Sequence, residues 1–209
     1  MKNGDIRNGY EVLPQKERKT VLLLSDDLRM TSGVGNMSRE FVMGTLHQIN
    51  WVQIGGAINH PDANKAIDMN EDMQKRTKIK DAYLKIHPVN GYGDQNIVRQ
   101  CLNFYKPDAI MIYTDPRFWG WLYAMEHEIR QHIPIFYYNI WDDWPAPQYN
   151  EFFYESSDLI MNISKQTVAI VKEVAKKKPR TDWDCTYLPH GVSDKYFFPI
   201  SVFDDEYKK

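Results

Sequence analysis

The amino-acid sequence predicts an α/β protein built on a single doubly wound parallel sheet. Three observations carry that prediction. Short apolar runs such as Val21–Ser25 and Ala109–Tyr113 have no polar face, amphipathic stretches of helical length lie between them, and turn or capping residues mark the junctions. A strand that is apolar throughout has no side to give to water, so it belongs in a parallel sheet covered on both faces. Its regular alternation with helices gives the βαβ unit.

In chain order, residues 1–19 are polar and charged and read as a flexible arm. Val21–Ser25 is the first strand. It is followed by the loop Thr31–Gly35 and a helix with Val34, Met37, Phe41, Val42 and Leu46 on one side. Trp51–Ile58 is the second strand, and residues 59–81 are a charged loop with a short helix over Asn70–Lys78. Ala82–Val89 is a third strand, broken near its end by Pro88. Asp94 caps a helix running to Tyr105, whose apolar face is Ile97, Cys101, Leu102 and Tyr105. Ala109–Tyr113 is the fourth strand, and 116–131 is one helix with proline in its first turn. Strands at Ile133–Ile140, Asp158–Asn162 and Cys185–Leu188 follow, with helices at Tyr149–Glu155 and Lys165–Lys176.

Composition narrows the function classes. Of 209 residues, 43% are hydrophobic and 26% charged, as in an ordinary globular domain, and the formal net charge of −2 offers no whole-molecule attraction to nucleic acid or anionic membrane. Lys176–Arg180 reads as a solvated helix end. Cys101 and Cys185 make no disulfide framework and read as small buried hydrophobes. No apolar run approaches the roughly 20 residues that cross a bilayer, and the polar start is no signal peptide, so a cytoplasmic protein without a membrane span is expected. Among the six histidines none has metal-ligand spacing, and Asp182 and Asp184 precede a strand instead of ending one, so no metal is expected.

In open parallel sheets ligands bind beyond the carboxyl ends of the strands. That rule selects Asp26 and Asp27, Ser32–Gly35, Gly55 and Gly56, Thr114 and Asp115, Trp141–Trp144, Ser164, and His190 with Gly191. The loop Ser32, Gly33, Val34, Gly35 lacks the third glycine of a dinucleotide fingerprint, and no P-loop sequence is present. Its glycines and the helix start behind it still suit an anion. Asp142 and Asp143 suit a general base, or simply a turn before Pro145. The remaining aromatics, Trp119, Trp121, Trp141 and Trp144 among them, suit either core packing or stacking on a flat ligand.

The segment Leu188–Pro199, LPHGVSDKYFFP, resembles the close of the first domain in retaining glycosyltransferases of the glycogen-synthase-like family four. Pro189, His190, Gly191, Val192, Phe197 and Pro199 fill the motif, with His190 where asparagine is commoner. Three further segments resemble that family in order. They are Ser32–Gly35, Pro134–Pro145 with its Trp-Asp-Asp-Trp-Pro, and Asp158–Ser164. The resemblance implies the Rossmann-like N-terminal half of a GT-B fold over residues 20–199, with 200–209 as linker or tail. It also implies transfer of a sugar from a nucleotide-sugar donor to a hydroxyl acceptor, with no cofactor and no metal. By that resemblance Ser32, Gly33, Val34 and Gly35 meet the donor phosphates and acceptor. Asp142, or Asp115, handles the acceptor hydroxyl, and Trp141, Asp143, Trp144, Ser164, His190 and Gly191 line the cleft. Trp141 stands where the family has its acceptor-side histidine. The motif lies ten residues before Lys209, so the donor-binding second Rossmann domain is expected elsewhere in the gene or in a second subunit. Nucleic acid is not the expected acceptor. The alternatives are a binding or assembly domain that kept the fold without the chemistry, and a sugar-nucleotide epimerase. The epimerase lacks its Tyr-x-x-x-Lys, since Tyr83 and Tyr123 are followed four residues on by His87 and His127.

Overall fold

The structure, a computed structural model, describes residues 6–7, 9–59, 61–63, 65–176, 180–192 and 197–200. A small antiparallel pair, β1 (Ile6–Arg7) with β2 (Tyr10–Glu11), precedes the main sheet. Then come β3 (Lys19–Asp26), α1 (Gly33–Thr45), β4 (Ile49–Ile58), β5 (Ile67–Asp68), α2 (Asn70–Thr77), β6 (Leu84–Asn90), α3 (Gln95–Tyr105) and β7 (Ala109–Tyr113). The second half holds α4 (Gly120–Tyr123), α5 (Glu126–Ile129), β8 (Ile135–Asn139), α6 (Glu151–Glu155), β9 (Leu159–Asn162), α7 (Lys165–Val174) and β10 (Cys185–Tyr187).

Eight strands form one sheet in the order β10-β9-β8-β7-β3-β4-β6-β5, parallel throughout except for β5, which runs antiparallel to β6. The fold is a single Rossmann-like α/β domain. Alternate residues of the central strands feed two cores. Leu22, Leu24, Ile110 and Ile112 join Val98 of α3 and Ile170 and Val174 of α7 on one face. Val21, Leu23 and Trp51 join Val42 of α1, Leu46 just after that helix and Met73 of α2 on the other. Both faces of β3 are buried, which is why its sequence alternates nothing and reads as an unbroken apolar run.

Besides the short strand β5, which falls in the stretch read as a charged loop, three elements differ from the sequence expectation. Pro88 does not break its strand: it pairs with Gly55 inside β6. Leu84 exchanges its backbone bonds with Met69 and the Asn70 side chain on the β5 side, so Ile86 and Pro88 face that side as well. Partner strand β5 ends at the Ile67–Ile86 pair, so the missing N–H of Pro88 falls on open edge, where proline is tolerated. The single helix expected over 116–131 is instead a 3₁₀ turn at Pro116–Trp119 followed by α4 and α5. The breaks fall at Trp119 and Met125, with φ of −107° and −111°. Trp119, Leu122, Tyr123 and Ile129 nonetheless join one core, since the two breaks leave these positions on the side that faces the sheet. The arm expected over residues 1–19 is docked where it is described. The Gln15 N–H donates to Asp81 at 2.7 Å, and the fully buried Arg18 side chain pairs with Asp81 and donates to Leu13.

Strand-to-helix junctions carry side-chain caps at Ser32, Asp94, Asp115 and Ser164. Asp94 accepts from the N–H groups of Asn96 at 2.7 Å and Ile97 at 3.2 Å. Asp94→Ala is expected to cost about 1 kcal/mol, read as a lower urea midpoint with an unchanged slope. An unchanged midpoint would mean that the cap contributes nothing.

Candidate functional site

The strand order reverses between β3 and β7, each neighbour of the other although three strands of the main sheet separate them in the chain. At such a switch point the loops leave in opposite directions and open a crevice beyond the strand ends. The β3 end supplies Asp26, 8% exposed, whose carboxylate accepts from the Ser32 hydroxyl at 2.8 Å and the Tyr92 hydroxyl at 3.2 Å. Asp27, fully buried, is spoken for: Arg29 holds it through Nε at 2.9 Å and the guanidinium terminus at 2.6 Å.

The two loop glycines divide their roles. A Cβ on Gly35 would lie 2.9 Å from the Asp27 carbonyl oxygen and 3.0 Å from that of Met30, so Gly35 permits the turn to close. Its N–H is taken by Ser32 Oγ at 2.9 Å. Gly33 faces open space, and it is the N–H groups of Gly33 and Val34, at the start of a 13-residue helix, that carry no bond to a described residue.

Tyr92, between Gly91 and Gly93 at φ +61° and +74°, is a site residue that the sequence reading missed. Both glycines sit in the left-handed region, a signal that the turn after β6 was built to place something. Its ring stacks on Phe118 at 4.4 Å and meets Trp119 edge-on at 5.2 Å. Burial, the nearby Asp26 charge and the hydrogen bond to it push the phenol up to about 12. A group whose folded pKa is raised stabilises the protein below its unfolded value and loses that contribution as pH rises toward the folded one. Stability is therefore expected to fall from about pH 10, the ordinary value of a tyrosine, up to about 12. An absorbance titration of the folded protein should show tyrosines ionising late; complete ionisation near 10 would contradict the geometry.

The segment after β10 does not leave the sheet edge directly. The Leu188 N–H donates to Asn162 at 2.8 Å and its carbonyl accepts from the Tyr138 hydroxyl at 3.0 Å, which draws the chain inward across β9 and β8. His190 thereby reaches the end of β7. Its Nε2 lies 3.4 Å from the Tyr113 hydroxyl, and its ring meets Tyr113 and Tyr138 edge-on at 6.0 and 5.4 Å. Burial lowers its pKa from 6.5, so the imidazole is neutral at pH 7. Tyr113 and Tyr138 were likewise not singled out from sequence, because as members of apolar strands they look like core.

The other expected residues spread along the strand ends. Asp115 caps the Pro116–Trp119 turn and clasps Arg117, with Nε 3.0 Å from both carboxylate oxygens. Arg117 in turn lies over the Trp141 ring at 4.6 Å. Trp141 is held by its N–H on Asn139 at 3.0 Å, and Asn139 is itself buried against Asn162 at 2.9 Å. Asp142 and Asp143 are exposed, and Asp142 uses its backbone carbonyl to accept from Gln166 of α7. Trp144 is 68% exposed. Ser164 forms a capping box with Thr167 at the start of α7, and Gly191 is exposed. Trp119, by contrast, is fully buried, and Trp121 packs partly buried against the same core.

Thus His190, Asp26, Ser32 and the α1 start gather at the switch point, while Asp115 and the Trp141–Trp144 loop lie to its β8 side. Among the described residues no three His, Cys, Asp or Glu side chains converge to hold a metal, and no helix is long and apolar enough to cross a membrane. No protein-family model, no curated protein and no solved structure matches this chain.

Proposed function

We propose that this chain is the acceptor-binding half of a glycosyltransferase that moves a sugar from a nucleotide-sugar donor to a hydroxyl. The observation that carries the reading is the course of Leu188–Gly191, which brings a neutral imidazole to the end of β7 at the switch point, across a cavity from α1. A neutral histidine near a crevice can accept the hydroxyl proton as the new glycosidic bond forms. The N–H groups of Gly33 and Val34 suit the charge that develops on a departing diphosphate. Asp26 offers a second hydroxyl-binding carboxylate, and Asp142 and Asp115 hold the outer rim. Donor affinity resides chiefly in a second Rossmann domain of the same gene or a second subunit, as in the GT-B arrangement.

The test is transfer by the intact enzyme, followed as nucleoside diphosphate release in step with glycosylated product. His190→Ala is expected to lower kcat/KM by about 10²-fold or more if the imidazole moves the proton. Absence of release with uridine, guanosine and adenosine diphosphate sugars across a panel of hydroxyl acceptors would overturn the reading. Calorimetry on this chain alone should show no micromolar donor binding; such binding would place the donor site here instead.

A further inference from the structure

Between α1 and the segment that follows β10 lies a cavity of about 460 Å³. Ligand pockets commonly fall in the range of roughly 300–1,000 Å³ and combine apolar walls with a few convergent polar groups. This one has that constitution. Met37 and Phe41 of α1 form one wall, Leu188 and Val192 the other, and the Tyr138 ring closes the side toward the sheet. Two polar side chains join them, Glu40 and His190. Glu40 is exposed and contributes the pocket's one carboxylate.

The polar pair selects among ligands. Glu40 repels phosphates and carboxylates, so the pocket is unsuited to the diphosphate of a donor. Apolar walls on two sides gain little from a sugar ring, whose hydroxyls would be left without partners there. His190 has two nitrogens, and Nε2 is already occupied by the Tyr113 hydroxyl at 3.4 Å. The hydrogen bond of the ring to a described residue runs through Nε2, not Nδ1. When Nε2–H donates to the Tyr113 oxygen, Nδ1 is the accepting nitrogen and is left for a ligand hydroxyl.

We propose that this cavity binds the acceptor and that the acceptor is a neutral aromatic alcohol, its ring between Phe41 and Val192 and its hydroxyl donating to His190 Nδ1. The proposal rests on the glycosyltransferase reading only for the word acceptor; the site and its ligand class stand on the cavity itself. In the transfer step the hydroxyl proton would pass to Nδ1 as its oxygen forms the bond to the sugar carbon and the nucleoside diphosphate departs with the electron pair of the broken bond.

Equilibrium dialysis against 2-naphthol, 2-methoxynaphthalene and maltose tests the site without any donor. Saturable binding of 2-naphthol at micromolar to millimolar concentration is expected, with maltose neither binding there nor displacing it. Val192 is 79% exposed, so Val192→Asp leaves the fold intact while placing a carboxylate against the ring, and should weaken 2-naphthol by about fivefold or more. His190→Ala should weaken 2-naphthol but leave 2-methoxynaphthalene, which has no proton to donate, unchanged. No saturable naphthol binding, binding untouched by Val192→Asp, equal losses for both naphthalenes in His190→Ala, or displacement by maltose would each overturn the assignment. Transfer to maltose by the intact enzyme, without naphthol binding, would sink this inference and spare the glycosyltransferase reading. Naphthol binding without any sugar transfer would do the reverse.

Discussion

Trp119→Ala is expected to destabilise the protein by about 3–5 kcal/mol, the range for deleting a buried aromatic ring. Trp119 is fully buried and joins Leu122, Tyr123 and Ile129 in the core beneath β7 and β8. It also braces the crevice from below, since its ring meets Tyr92 at 5.2 Å and Trp121 at 5.9 Å. Tyr92, one of the rings that would have to close the space, is held in place by its hydroxyl on Asp26. A chain of this size should lose on the order of 6–20 °C in Tm. Trp144→Ala is the matched control: at 68% exposure it should stay within about 0.5 kcal/mol of the parent. Comparable Tm values for the two variants would mean that the sorting of these tryptophans into core and rim is wrong.

Gly56→Ala is the second change with a large expected effect. The added methyl would stand 2.7 Å from Tyr92 Cδ1 and 2.8 Å from the Gly91 carbonyl oxygen, closer than real Cβ atoms approach. Gly91 is backbone and cannot swing aside, and Tyr92 is gripped by Phe118, Trp119 and Asp26. Overpacking of this kind costs about 1–3 kcal/mol, and the strand contact between β4 and the turn after β6 must open to relieve it. Two readouts should move together. Tm falls, and one late-ionising tyrosine moves toward the ordinary population as Tyr92 is pushed from its buried position and from Asp26. Placing Gly56→Ala in a Tyr92→Ala background should lessen its cost, because half of the clash is then gone. Strict additivity of the two substitutions would show that Tyr92 is not what limits the space.

The pair also shows where sequence reasoning reached its limit. Gly55 and Gly56 were recognisable as a strand-end feature, yet their purposes differ: Gly55 leaves room for the buried Asp27 carboxylate and Gly56 for the Tyr92 ring. Those partners are contributed by the loop that leaves β3 and by the turn after β6, and no local pattern names them. Likewise Asp115, Asp142 and His190 all stood at strand ends in the sequence. Only the packing reveals that the first is engaged by Arg117 and the second points its backbone to α7, while the third crosses the sheet to Tyr113.

By itself the sequence determined the fold class, seven of the eight main strands and most of their helices, because burial on both faces writes itself as unbroken apolar runs and helix starts need caps such as Ser32, Asp94 and Ser164. These are local constraints, set by residues within a turn or two of each other. The tertiary structure alone decided the strand order, the tolerance of Pro88 at an open edge, the bends at Trp119 and Met125, and the inward course of Leu188–Gly191. Each of those depends on a neighbour distant in sequence, and the energy that fixes it comes from contacts that exist only once the sheet has assembled.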